Sequence, residues 1–145
     1  MSARENIAIN IKNQLENMTD PAPGLVSRVF FDPSKIAITQ FPAILINTTS
    51  ETREDVSMNA REGIIAVQLR AFVRGTEVDT LRNEIVERIE ETLEVSRDRD
   101  ISLSTANIHN VKTQISNIEV VERELPLGEV VVTVDVKYQY KKGVL

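Results

Sequence analysis

The sequence predicts an α+β fold in which an antiparallel or mixed β-sheet is flanked by two main helices and ends in a long C-terminal β-hairpin. Two stretches of the 145 residues repeat apolar side chains at helical spacing, and others alternate apolar with polar residues. The last two alternating stretches are joined by the turn sequence Leu125-Pro126-Leu127-Gly128. Because the chain has no Gly/Ser linker, internal repeat or low-complexity tract, we expect a single domain over residues 1–145.

Apolar spacing predicts both helices. The first is expected from about Ala3 to Met18, because one face carries apolar side chains at intervals of four, four and three: Ile7, Ile11, Leu15 and Met18. The second is expected from Val78 to Val95, with Arg82 as the charged residue inside its apolar arc. We expect the glutamates of this helix to lie on the opposite, solvated side.

Four β-strands are expected between the helices. Val26–Phe31 and Ile36–Thr39 flank a turn at Asp32-Pro33-Ser34-Lys35 and are predicted to be strands. The apolar run Ala43–Ile46 indicates a strand covered on both faces. Alternation from Ile65 to Val73 indicates a half-buried strand. Between these two, the polar stretch Asn47–Glu62 is predicted to be a long loop or a mobile hairpin, with a functional role.

The C-terminal hairpin is predicted over Val111–Glu124 and Glu129–Lys142. Every even position from Val130 to Tyr140 is apolar or aromatic. The alternation of the first strand changes phase near Ser116-Asn117, which predicts a β-bulge there. Residues 97–110 are expected to be irregular.

Composition excludes several classes of site. The chain has no Cys and one His, so it cannot form disulfides, thiolate nucleophiles, Cys-based metal sites or a multi-histidine metal site. Its 17 basic and 22 acidic residues give a net charge of -5, which argues against gripping nucleic acid by charge. No run is apolar enough for a membrane span, and charges interrupt residues 1–18, so we expect no signal peptide and a cytoplasmic site of synthesis.

No catalytic, metal or cofactor motif is recognised, so we expect a protein that is not an enzyme. Phosphate-binding glycine loops are absent from the sequence. His109 is expected in an exposed loop, and Asp98 and Asp100 alternate with arginines as a solvated segment.

The acidic surplus is local: residues 77–100 hold nine acids and four arginines, a charge of -5, while 13 acids and 13 bases lie elsewhere. The second helix therefore sets the electrostatics, and we expect its acidic face to point outward.

The order of these elements resembles that of the tail terminator (tail completion, minor tail protein U-like) proteins of tailed bacteriophages. The similarity covers nearly the whole chain. It includes the strand start Phe41-Pro42-Ala43-Ile44-Leu45-Ile46 and the closing strand Val134-Asp135-Val136-Lys137-Tyr138-Gln139-Tyr140. The resemblance implies a virion protein of the tail or neck, assembled in the host cytoplasm.

A protein of this family is expected to form a homohexameric ring that caps the head-proximal end of the tail tube and stops its polymerisation. Its partners would be other copies of itself, the tail tube protein and the neck or head connector, with DNA passing through the lumen without specific binding. We expect no cofactor and no membrane.

Ring formation needs contact surfaces. The polar stretch supplies candidates for contact with a neighbour or the tube: Glu51, Arg53, Glu54, Asp55, Arg61 and Glu62. Arg82 is a candidate at a subunit contact, with packing of its stem along the helix as the alternative. The strands Ile64–Arg74 and Glu129–Lys142 are expected to leave an edge for pairing between subunits.

Two other functions stay open. The chain fits another neck connector or a tube subunit of related fold, and electron microscopy would distinguish long tubes from single rings. A small-ligand enzyme or regulatory domain is the more distant alternative, and it requires a pocket with converging polar groups.

Overall fold

Five strands form one mixed sheet with two helices against it, in a computed structural model that describes residues 3–94 and 108–141. The sheet order is β1-β2-β3-β5-β4, and only the β1–β2 pair is parallel. This confirms the predicted α+β class and the C-terminal strand pair. The elements are α1 (Ala3–Glu16), β1 (Leu25–Ser27), a 3-10 turn (Ile38–Gln40), β2 (Ala43–Asp55), β3 (Ala60–Arg74), α2 (Val78–Glu94), β4 (Ile108–Val121) and β5 (Leu127–Lys141).

The main core lies between the two helices and one face of the sheet, which we call the helix face. The odd positions of β3 and the even positions of β5 fill it, as their alternation predicts. Helix α1 contributes Ile7, Ile11 and Leu15, and α2 contributes Ile85, Ile89 and Leu93, all fully buried. Burying each such side chain stabilises the fold by about 1.5–3 kcal/mol, so the apolar faces of the helices hold them on the sheet.

The other face, which we call the open face, is covered at one end by residues that the structure describes. There Phe31, Ile36 and Phe41 pack over Ala43, Leu45 and Phe72. This second layer explains why residues 43–46 are buried on both sides, as predicted.

Of the two strands predicted around Pro33, the first is confirmed only at its start and the second is wrong. Only Leu25–Ser27 is a strand, and no strand forms at residues 36–39. The turn itself forms, since the Lys35 N–H donates to the Asp32 carbonyl at 3.0 Å and the Ser34 N–H donates to the Asp32 carboxylate at 3.0 Å. The intervening chain is irregular because Phe31 and Ile36 turn their side chains onto the open face instead of extending a ladder.

The stretch 47–62 is a hairpin, so of the two predicted alternatives the hairpin forms and the long loop does not. Strands β2 and β3 pair as far as Asp55 and Arg61, and residues 56–59 form the tip. A register shift between Thr48 and Glu51 interrupts the ladder. We call residues 51–62 the distal hairpin, since they lie at the end of the sheet away from Ala43 and Phe72.

The predicted free edges are also misplaced. Strand β3 pairs with both β2 and β5, and β5 pairs with both β3 and β4, so both are interior strands. In the described part of the chain, the outer side of β4 has no strand beside it. The outer side of β2 has only β1, which pairs with residues 43–45. These two outer sides are the edges of the sheet.

Strand β4 begins earlier than predicted, at Ile108, so the backbone of His109 belongs to a strand and the expectation of a loop at 108–110 is wrong. The bulge predicted at Ser116-Asn117 is confirmed by a register shift between Ile115 and Asn117, and a second shift lies between His109 and Lys112. Asp98 and Asp100 lie outside the described residues. Within residues 3–94 and 108–141, no helix is long and apolar enough to cross a membrane.

Candidate functional site

The six charged residues predicted as an interface lie on the distal hairpin, but on two different faces. Glu51, Arg53 and Asp55 pair with Ile65, Gly63 and Arg61 and share the helix face with them. Glu54 and Glu62 pair with each other on the open face. The structure therefore divides the predicted patch into two.

Glu51 is the centre of an internal hydrogen-bond network on the helix face. Its side chain is 7% exposed and accepts hydrogen bonds from the Tyr138 hydroxyl, from Arg4 Nη1 at 3.2 Å and from Arg53 Nη2 at 3.1 Å. Burial alone would raise the pKa of Glu51, but these three donors outweigh it and lower the pKa. Arg4 also donates to the Thr49 carbonyl at 3.3 Å, so the network fastens α1 to the hairpin.

Tyr138 is the buried partner in this network. Its side chain is fully buried, and burial followed by the adjacent Glu51 carboxylate raises the pKa of its hydroxyl. Tyr140 lies alongside with ring centroids 5.7 Å apart, and the Arg53 guanidinium lies 5.4 Å from the centre of the Tyr140 ring. Glu51 thus uses its oxygens within the chain and stabilises the hairpin.

The outer part of the distal hairpin carries both ion pairs and exposed apolar groups. Arg61 Nε lies 3.0 Å from Asp55, and Lys137 Nζ lies 3.4 Å from Glu62. At the tip, Val56 is 48% and Met58 is 90% exposed. These two apolar side chains are not among the six charged residues predicted from the sequence, although a methionine within a polar turn indicates a contact surface.

Arg82 lies at the opposite end of the molecule, near the start of α2. Its side chain is 14% exposed, and its Nη2 lies 3.5 Å from Asp79. It borders an open depression of about 490 Å³ that is also lined by Glu122 and Arg123. The structure therefore does not bring Arg82 together with the distal hairpin.

A buried ion cluster on the open face was missed by the sequence analysis. The Glu129 side chain is 1% exposed and accepts hydrogen bonds from Arg70 Nε and Arg123 Nε, both at 2.8 Å. Both guanidinium groups also lie over the Phe72 ring, at 5.3 and 5.4 Å from its centroid. The cluster ties the start of β5 to β3 and to the segment before it.

Exposed apolar side chains lie at both lateral sides of the sheet. On β4, Ile118 and Val120 are 43% and 49% exposed. They pair with Val132 and Val130 and so belong to the helix face, beyond the cover of the helices. On the other side, directly after the outermost strand β1, Val29 and Phe30 are 77% and 73% exposed.

Most glutamates of α2 lie on its solvated side as predicted, but Glu94 also accepts a hydrogen bond from the Ile115 N–H of β4 at 2.7 Å. Glu84, Glu87 and Glu91 are exposed on the side of α2 away from its buried residues. Among the described residues, no group of three His, Asp or Glu side chains is arranged to hold a metal ion. A groove of about 250 Å³ lies between α2 and the chain around Phe41-Pro42, and mostly apolar side chains line it.

Comparison of the chain with protein-family models and with curated proteins gave no match.

Proposed function

We propose that this chain is a ring-forming structural protein of the tail-terminator type. In this role it caps the head-proximal end of a phage tail tube and offers the surface to which the neck joins. The observation that carries the proposal is the pair of different apolar patches at opposite lateral sides of one sheet: Ile118 with Val120, and Val29 with Phe30.

Two different patches on opposite sides favour a head-to-tail contact. A contact in which one surface meets a different surface on the next copy generates a closed ring when the rotation between copies closes. Single exposed apolar residues are normal on a monomer, whereas contiguous apolar patches mark interaction surfaces, and we take each of these two pairs as the centre of a contact. The resemblance of the element order to tail terminators supports a ring of that type.

The distal hairpin is the candidate surface for the tube or the neck. Its tip extends along the strands, whereas the lateral patches lie across them, so the two surfaces can serve different partners. Val56 and Met58 supply exposed apolar contact area there, and methionine adapts to an irregular partner surface.

The helix side belongs on the outside of such a ring. The outer circumference of a ring is longer than the inner one, and the layer of two helices is bulkier than the bare sheet. This arrangement turns the acidic face of α2 away from the DNA. It leaves the polar open face toward the lumen, with uncharged side chains such as Gln68 and Thr133 beside charges of both signs, Asp135 and Lys137.

The ring is tested by the mass of the purified chain, alone and with tail tube ends. We expect hexamers in at least one of the two conditions, and weaker assembly in the double variant Ile118→Asp with Val120→Asp. Asn83→Asp is the control, because Asn83 is exposed on α2, outside both lateral patches and the edge strands. A strict monomer that also fails to bind tube ends contradicts the proposal, and long tubes would indicate a tube subunit.

The hairpin assignment has its own test. Met58→Asp is expected to reduce binding to tube ends or to the neck while the ring retains its mass. Unchanged binding to both partners would remove the hairpin tip from the proposed contact.

The ring orientation can be read by labelling assembled tails with a bulky maleimide, since the chain has no native cysteine. Glu87→Cys is expected to react and Thr133→Cys to be protected. The opposite pattern would place the helices in the lumen.

A further inference from the structure

The two edge strands of the sheet, β4 and the part of β2 beyond its pairing with β1, run in opposite directions. Strand β2 is antiparallel to β3, β3 to β5, and β5 to β4, so β4 runs antiparallel to β2. If two copies lie side by side in the same orientation, the outer edge of β4 in one copy faces the outer edge of β2 in the next. The facing strands are then antiparallel, which is the arrangement that adjacent strands use to exchange hydrogen bonds.

The register of the sheet shows which residues of β4 and β2 lie at the same position along the strand direction, which we call the same height. Lys112 on β4 pairs with Lys137 on β5, Lys137 pairs with Ile64 on β3, and Ile64 pairs with Thr52 on β2. Lys112 and Thr52 therefore stand at the same height on opposite edges. Glu54 lies two residues further along β2, about 7 Å away along the strand, and on the same face as Thr52.

The charges at this height are complementary. Both Lys112 and Glu54 are exposed on the open face, and neither has an ion pair among the described residues. They sit at opposite edges of one sheet, so they cannot meet within a chain. In neighbouring copies placed side by side at equal height, they come within reach of each other.

We propose that β4 of one copy pairs with the distal part of β2, residues 50–55, of the next copy, with Lys112 opposite Thr52 and its ammonium group within reach of Glu54. The occupant of each edge is thus a second copy of this chain. This inference rests on the proposed ring and names its contact.

The bulge in β4 fits this contact. At the other end of the sheet, β1 lies outside β2 at residues 43–45, so a neighbouring strand must pass one strand further out there. The register shift between Ile115 and Asn117 lies between Lys112 and the exposed Ile118, and a bulge bends its strand. It lets the first part of β4 pair with β2 while Ile118 and Val120 reach the side that carries Val29 and Phe30.

Engineered cysteines give the direct test, because the chain has none of its own. Lys112→Cys and Thr52→Cys are purified separately, mixed, assembled and oxidised. Paired residues on adjacent strands have Cβ atoms about 4.5–5.5 Å apart, near enough for a disulfide after a small shift. We expect a covalent dimer containing one chain of each variant. The control mixes Lys112→Cys with Thr133→Cys, which lies on the same face of the interior strand β5, and should give none.

A charge exchange gives an independent test. Lys112→Glu and Glu54→Lys are each expected to weaken self-association about five-fold per contact, and the double variant to recover it, because an exposed ion pair has this order of strength. Assembly of wild-type rings with no mixed disulfide and no recovery overturns the proposed contact while leaving the ring intact. A disulfide in Lys112→Cys alone indicates β4 against β4 and also overturns it. Absence of any assembly overturns the ring as well.

Discussion

Replacing Glu129 with glutamine should destabilise the protein by about 2–4 kcal/mol. The carboxylate is 1% exposed and accepts hydrogen bonds from two guanidinium groups at 2.8 Å. Hydrogen bonds to charged groups contribute about 1.5–3 kcal/mol each, and removing one partner of a fully buried ion pair costs about 3–5 kcal/mol. The expected loss lies toward the lower end because Arg70 and Arg123 are 28% and 29% exposed and can be partly rehydrated.

Urea unfolding followed by circular dichroism measures this loss as a lower midpoint at an unchanged slope. Glu122→Gln is the matched control, because Glu122 is exposed near the same turn and has no ion pair in the described part of the chain, so it should stay within about 0.5 kcal/mol of wild type. A double-mutant cycle with Arg123→Gln should show coupling between the two sites. If Glu129→Gln is as stable as Glu122→Gln, the cluster does not hold β5 to β3 as argued.

Three further results are expected. The folded state lowers the pKa of Glu51, so the ionised side chain stabilises the fold above the unfolded pKa of about 4.3, and this stability is lost as the pH falls through the lower folded pKa. Glu51→Gln should therefore be less stable than wild type at pH 7. The difference between their free energies of urea unfolding should close at acidic pH. The folded state raises the pKa of Tyr138, so the neutral hydroxyl stabilises the fold below about pH 10, and this stability is lost as the pH rises above that value. In Tyr140→Phe, where Tyr138 is the remaining tyrosine, tyrosinate absorbance should appear only with alkaline unfolding. Reversible ionisation in the folded protein at the pH of a free phenol would contradict this. Gly63→Ala should cost about 1–3 kcal/mol in urea unfolding, because its Cβ would lie 2.6 Å from Tyr138 Cζ, and a neutral effect would show that the Tyr138 ring is free to move.

The sequence predicts the elements whose pattern is local. Helices α1 and α2 follow from apolar spacing, and the alternation of β3 and β5 identifies their buried faces. The bulge at Ile115–Asn117 follows from a change of phase within one strand. Strand order cannot be obtained this way, because it depends on which distant segments pair. The two strands predicted as edges are interior for this reason.

The segment after β1 shows how tertiary packing overrides a local pattern. Val29, Phe30 and Phe31 look like part of a strand, but only Phe31 finds a place on the open face, against Phe72 at a centroid distance of 5.6 Å. The other two side chains remain exposed. The sequence does not predict their exposure, because an apolar run of this kind is typical of a buried strand.

The charged residues of the distal hairpin lie on two faces of the sheet because side chains alternate between the faces along each strand. Read as a loop, residues 51–62 form one charged group. Read as two strands, the alternation sends Arg53 to the helix face and Glu54 to the open face, and the bulge at Thr48 turns Glu51 onto the helix face.

The burial of Glu51 and Glu129 cannot be predicted from alternation, since each depends on donors distant in sequence: Tyr138 for Glu51 and Arg70 for Glu129. This distinction separates charges that stabilise the fold from those still free to bind. Glu51 and Glu129 are satisfied internally, so an interface should use the exposed Glu54 and Lys112, together with the apolar side chains that the sheet leaves at its edges.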